Sequence, residues 1–99
     1  VNFKISPRVR AKLADEKHNV TPQEVIECFA NRDGPAFRDE RAEHDTDPMT
    51  QWFIAETDTR RLLKIVYIEY PGFFAIKSAY EANRTWIDKY EEMCAAHGA

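Results

Sequence analysis

Two short turn signals constrain this chain more than anything else in it. Thr57-Asp58-Thr59 and Pro71-Gly72 divide residues 51–79 into three runs, 51–56, 62–70 and 73–79, each rich in β-branched and aromatic residues. Such runs joined by turns this short predict an antiparallel three-stranded meander. Side chains alternate faces along a strand, so the register decides which residues meet. If Pro71-Gly72 closes a two-residue hairpin, Leu63, Ile65, Tyr67, Phe74 and Ile76 share one face. Lys64, Val66, Ile68, Ala75 and Lys77 then share the other.

The residues on either side carry a helical period. Ser6 followed by Pro7 is a capping residue before a proline at the first helical position. Val9 and Leu13 give that helix a thin apolar stripe, Arg8, Arg10, Lys12 and Lys17 leave its other face basic, and Asn19 is a plausible stop. Thr21-Pro22-Gln23-Glu24 reads as a capping box, followed by Val25, Ile26 and Phe29 on one face. The cluster Asn31-Arg32-Asp33-Gly34-Pro35 should end this second helix. Residues 35–50 are polar, with five acids and two arginines between 38 and 47, and read as an exposed loop or a frayed strand. A last helix should begin near Asn83, with Trp86, Ile87, Tyr90, Met93 and Cys94 at helical spacing and 95–99 as a fraying tail. The expected class is α+β: one domain over residues 1–99 with two N-terminal helices, a three-stranded antiparallel meander and a C-terminal helix. Trp52 and Tyr67 are expected in its core.

Composition narrows the function classes. Fourteen Lys and Arg against 17 Asp and Glu leave a net charge of −3, so a strongly basic nucleic-acid binder is not the default. There is no glycine-rich phosphate loop and no HExxH, and His18, His44 and His97 lie far apart, so neither a cofactor nor a metal is expected. Glu43-His44-Asp45 is the nearest approach to a cation site, and it reads more simply as a solvated loop. Cys28 and Cys94 form no CxxC pair and are expected as free thiols. No run approaches the ~20 apolar residues of a membrane helix, and Val1-Asn2-Phe3-Lys4 carries no leader pattern. A cytoplasmic protein with no membrane partner is therefore expected.

The positive charge is nonetheless segregated. One group lies on the first helix, and a second, Arg60, Arg61, Lys64 and Lys77, lies in the strand region. Such segregation can build a local anion site on an acidic protein. Metal-independent RNA cleavage needs a base for the 2′-hydroxyl, a cation for the phosphorane and an acid for the leaving oxygen. His18, Arg60, Arg61, Lys64, Glu69, Tyr80 and Arg84 are chemically eligible.

Several strings, in order, add a family likeness. Lys17-His18-Asn19-Val20, Thr21-Pro22-Gln23-Glu24-Val25 and Phe29-Ala30-Asn31, then Arg61-Leu62-Leu63-Lys64-Ile65-Val66-Tyr67 and Ile76-Lys77-Ser78-Ala79, resemble the BrnT family over about residues 10 to 92. Asn19 stands where that family often has glycine, and Tyr80 where it commonly has arginine. The resemblance implies a RelE-like ribonuclease-toxin fold and a type II toxin–antitoxin module. It also implies RNA cleavage that stops translation and an antitoxin as protein partner. The residues expected to carry catalysis are His18, Arg61, Lys64 and Tyr80; Lys17, Arg60, Lys77 and Arg84 are expected to hold RNA. The alternative is a non-catalytic protein-binding module on the same fold, pairing with a small protein or with its own copy as a homodimer.

Overall fold

In a computed structural model the described residues are 2–41 and 46–98; the Glu43-His44-Asp45 string lies outside them. The chain runs β1 (Asn2–Lys4), α1 (Pro7–Ala14), α2 (Pro22–Asn31), β2 (Phe37–Arg38), β3 (Thr50–Glu56), β4 (Leu62–Tyr70), β5 (Phe73–Glu81) and α3 (Arg84–Gly98). The class is α+β. The expected meander is present as β3-β4-β5, but it is the centre of a five-stranded mixed sheet ordered β1-β5-β4-β3-β2. Two edge strands correct the three-stranded expectation: β1 lies parallel to β5, and β2 antiparallel to β3. Both are too short, at three and two residues, to show a period of two in the sequence.

Local chemistry explains the helix starts. Ser6 Oγ accepts from the Val9 amide at 3.2 Å. In the capping box, Thr21 Oγ1 accepts from the Glu24 amide and Glu24 Oε1 accepts from the Thr21 amide, both at 3.1 Å. At the start of α3, Asn83 Oδ1 accepts from the Trp86 amide at 2.9 Å. Two boundaries differ from expectation. Helix α1 ends at Ala14, and Asn19 takes its left-handed φ of 47° in the turn beyond it. Helix α3 continues to Gly98, so 95–98 is helical rather than frayed.

The two faces of the sheet are covered differently. On one, Phe3, Phe29, Phe53, Tyr67 and Phe74 form a cluster of ring contacts beneath α2. On the other, Trp52, Phe37, Trp86 and Tyr90 pack beneath α3. Trp52 and Tyr67 are buried as expected.

Pro71-Gly72 does close a two-residue hairpin, with Tyr70 opposite Phe73 and Gly72 at φ 86°. The face assignment therefore holds through Ile76. Beyond it, Val66 pairs with Ser78 while Tyr67 pairs with Ile76, which leaves Lys77 as the extra residue of a β-bulge. The bulge reverses the alternation in the rest of β5. Ser78 and Tyr80 turn to the α3 face, where Tyr80 lies opposite Lys64, and exposed Lys77 is not on that inner face.

Candidate functional site

The chemistry converges on the α3 face around one lysine. Lys64 sits in the middle strand and is completely buried, at 0% exposure. Among the described residues its Nζ has no hydrogen-bond partner. Aromatic faces surround it instead: Nζ lies 3.2 Å from the Trp86 ring centroid, 5.0 Å from Trp52 and 5.5 Å from Tyr80. Three elements position this cage, since Trp52 comes from β3, Tyr80 from β5 and Trp86 from the first turn of α3. Each ring face attracts a cation through its quadrupole. That attraction does not replace lost water, so burial pushes the Lys64 amine down to about 8, with Arg41 pushing the same way and Asp39 opposing.

A cleft of about 260 Å³ opens beside the cage, lined by Arg38, Asp39, Glu40, Arg41, Trp52, Trp86, Lys89 and Met93. Asp39 is almost fully buried, and Arg41 holds it with two guanidinium bonds at 3.0 and 2.6 Å and a backbone bond at 3.1 Å. Lys89 Nζ lies 5.1 Å from the Trp86 ring. Arg38, Arg41 and Lys89 thus line the cleft together with Asp39 and Glu40, while Lys64 lies buried behind the Trp86 ring.

Tyr80 links this site to a second one. Its ring meets the His18 ring edge-on at 6.0 Å. Burial raises the Tyr80 hydroxyl, with Arg41 opposing. His18 Nδ1 lies 3.0 Å from Asp15 Oδ1, and the His18 amide donates to the same oxygen at 2.9 Å. These bonds hold the Asp15 carboxyl below its usual range. A carboxylate on Nδ1 favours the Nδ1–H tautomer and leaves Nε2 as the basic nitrogen. His18, Tyr80 and Lys64 therefore form a continuous run, with Tyr80 in the middle.

Arg61 is placed differently from what its expected phosphate role requires. Its guanidinium donates to the carbonyls of Asn19 at 2.7 Å and His18 at 3.1 Å, and to Glu24 at 3.2 Å. It clamps the α1–α2 turn onto the sheet, and its donors are already engaged. The other expected RNA contacts also scatter. Arg60 sits at φ 66° in the β3–β4 turn and lines a separate open cleft of about 450 Å³ whose charged neighbours are Asp33, Glu56 and Asp58. Arg84 is exposed and pairs with Asp88 one turn along α3 at 2.7 Å. Lys17 and Lys77 are exposed.

Sequence reasoning did not single out Asp39, Arg41, Trp86 or Lys89. Only Trp86 had a signal, its place in the apolar stripe of α3; Asp39 and Arg41 lay in the stretch read as an irregular loop. Neither cysteine offers a nucleophile in this site. Cys28 is buried, and burial together with Glu24 and Glu27 pushes its thiol up to about 12, while Cys94 is half-buried against Tyr90. Among the described residues there is no group of three or more His, Cys, Asp or Glu arranged to hold a metal, and no helix is long and apolar enough to cross a membrane. No family model matches the chain, and no curated protein matches it.

Proposed function

We propose that this chain is a diverged BrnT-like toxin that cleaves RNA without a metal, neutralised in its cell by an antitoxin protein. The observation that carries the reading is the buried, unpartnered ammonium of Lys64, in ring contact with Tyr80 and through it with the His18–Asp15 pair. In this mechanism His18 Nε2 removes the proton of the 2′-hydroxyl, and the alkoxide attacks phosphorus. The P–O5′ bond then breaks, leaving a 2′,3′-cyclic phosphate on one fragment and a 5′-hydroxyl on the other. In this reading Lys64 and Arg41 offset the charge of the phosphorane, and the Tyr80 hydroxyl protonates O5′. Arg41 thus takes the role that sequence reasoning gave to Arg61.

The test is inducible expression. The reading expects growth arrest with RNA fragments bearing 2′,3′-cyclic phosphate ends, relieved by Lys64→Met. Normal growth and intact RNA at high expression of the folded protein would overturn it.

A non-catalytic protein-binding module is the second reading, and one feature favours it. Strand β2 covers β3 only at Gln51 and Trp52, so residues 53–56 have no strand partner on that edge among the described residues. Open edges are templates for pairing with another chain. Intact RNA together with a stable complex blocked by a proline in 54–56 would favour the module.

A further inference from the structure

Pairing along the outer edge of β3 stops at a point that the sequence determines. Phe37 lies opposite Trp52, and Arg38 opposite Gln51. Continued back along the chain, that register would set Pro35 opposite Ile54 and Asp33 opposite Glu56. Proline has no N–H to give the Ile54 carbonyl. The Pro35 carbonyl, which would accept from the Ile54 amide, accepts the Tyr90 hydroxyl at 2.7 Å instead. The chain's own segment is thus drawn toward α3, and the edge beyond Trp52 is left without it.

Two bonds fix which backbone groups face outward there. The Thr50 carbonyl accepts from the Asp39 amide at 2.8 Å, so it faces the β2 side. The Thr57 amide donates to the Arg61 carbonyl at 2.9 Å, so it faces the β4 side. Backbone groups alternate sides along an antiparallel strand, so those of Ile54 and Glu56 point away from β4. Asn31 Nδ2 donates to the Glu56 carbonyl at 3.0 Å. Among the described residues no hydrogen bond reaches the Ile54 amide, the Ile54 carbonyl or the Glu56 amide from that side. Ile54 is only 7% exposed, and backbone groups so nearly buried are almost always paired. The cleft of about 450 Å³ between this edge, Asn31 and Asp33 is where a partner for them fits. A segment laid antiparallel to β3 would satisfy all three groups. Its residue opposite Ile54 exchanges both bonds, and the carbonyl two residues earlier accepts from Glu56.

Charge selects the occupant. Asp33, Glu56 and Asp58 line the cleft against Arg60 alone. All four are exposed, and among the described residues none is in an ion pair. A second copy of the chain does not fit. Two-fold pairing about Ile54 would put Glu56 opposite Trp52, whose edge Phe37 already holds, and would set like acids side by side.

We propose that this edge takes a short extended segment of a basic protein partner, antiparallel to β3 at Ile54–Glu56, with lysine or arginine side chains against Asp33, Glu56 and Asp58. That the partner is a protein rests on the protein-binding reading; the strand addition itself does not require that RNA be left intact. Main-chain bonds supply the affinity in such an addition, and side chains supply the choice of partner.

The probe is a heptapeptide of alternating lysine and valine, acetylated and amidated at its ends and titrated into the intact, nitrogen-15-labelled protein. It should shift the Ile54 and Glu56 amide resonances in a saturable way and slow exchange of the Ile54 amide at least about tenfold. A peptide with glutamate for lysine should bind at least about tenfold more weakly, as should the lysine peptide N-methylated along its pairing edge. Asp33→Lys with Glu56→Lys should reverse the preference between the two charges. Both residues are exposed and outside any printed bond through their carboxylates, so this variant is expected to keep its fold, which circular dichroism checks. Ile54 and Glu56 amides unmoved at the highest peptide concentration, or equal binding of the lysine and glutamate peptides, would overturn the proposal. Saturable binding that leaves the Ile54 amide untouched would overturn the edge while leaving the protein-binding reading standing at another face. Protection of Ile54 in a protein that also cleaves RNA would sustain the edge and sink the non-catalytic reading.

Discussion

Lys64 is the residue on which the energetics turn. Its amine falls from 10.5 to about 8 on folding, a difference worth on the order of 3 kcal/mol. Because the folded pKa is the lower one, the unfolded chain holds the extra proton between pH 8 and 10.5. Stability therefore rises across that window, while below pH 8 both states are protonated and the full penalty applies. Lys64→Met should raise stability at pH 7 by about 1–2 kcal/mol after the lost cation–π contacts are allowed for. It should also remove the rise between pH 8 and 10.5, and denaturant melts of both proteins at pH 7 and pH 10 read the two effects. Arg61 makes the opposite prediction. Its side chain holds two loop carbonyls and the Glu24 carboxylate, so Arg61→Ala should cost about 2–3 kcal/mol of stability. Thermal melts check this, and any loss of activity in that variant should track the loss of fold.

At the scale of elements, α3 and the β5 bulge build the site. Gly34 allows α3 to dock: a Cβ there would stand 2.7 Å from the Tyr90 hydroxyl oxygen, the atom that anchors the helix to Pro35. Gly34→Ala should cost about 1–3 kcal/mol through overpacking. It should also speed amide exchange in α3 more than in β4, which hydrogen-exchange mass spectrometry resolves. Much of this level was legible in the sequence. The capping box at Thr21 and Glu24, the Pro71-Gly72 hairpin and the β-rich runs all follow from local chemistry that needs no partner. The bulge was not legible, because Lys77 is compatible with either face of a strand and only the cross-strand register makes it the extra residue. Yet the bulge is what brings Tyr80 opposite Lys64. The short edge strands were hidden for a related reason: Asn2–Lys4 and Phe37–Arg38 are strands only because β5 and β3 present them with partners.

At the scale of the whole molecule, the net charge of −3 conceals an uneven distribution. Arg8, Arg10, Lys12 and Lys17 are exposed on and just after α1, Lys77 is exposed on β5, and Arg38, Arg41 and Lys89 line the cleft under α3 beside Asp39 and Glu40. RNA held by such groups should lose affinity as salt rises, because binding releases counterions from the phosphates. A filter-binding series in salt should give a log–log slope of about −2 to −4 if three to five of these cations contact a single strand. Of the site itself, His18, Lys64 and Tyr80 could be picked from the sequence as eligible chemistry. The proposed exchange of Arg41 for Arg61 could not, because it depends on where the fold puts each guanidinium, Arg41 on the cleft wall and Arg61 against the α1–α2 turn. The most direct test of the central claim, that the Lys64 cleft is a metal-independent RNA-cleaving site, is cleavage of a defined RNA in excess chelator by the purified chain and its Lys64→Met variant. Equal folding of the two would be verified first by circular dichroism. The account predicts cleavage to 2′,3′-cyclic phosphate ends by the parent and a loss of at least about a hundredfold, near 3 kcal/mol of transition-state stabilisation, in the variant. Equal cleavage by both proteins, or none by the parent, would contradict it.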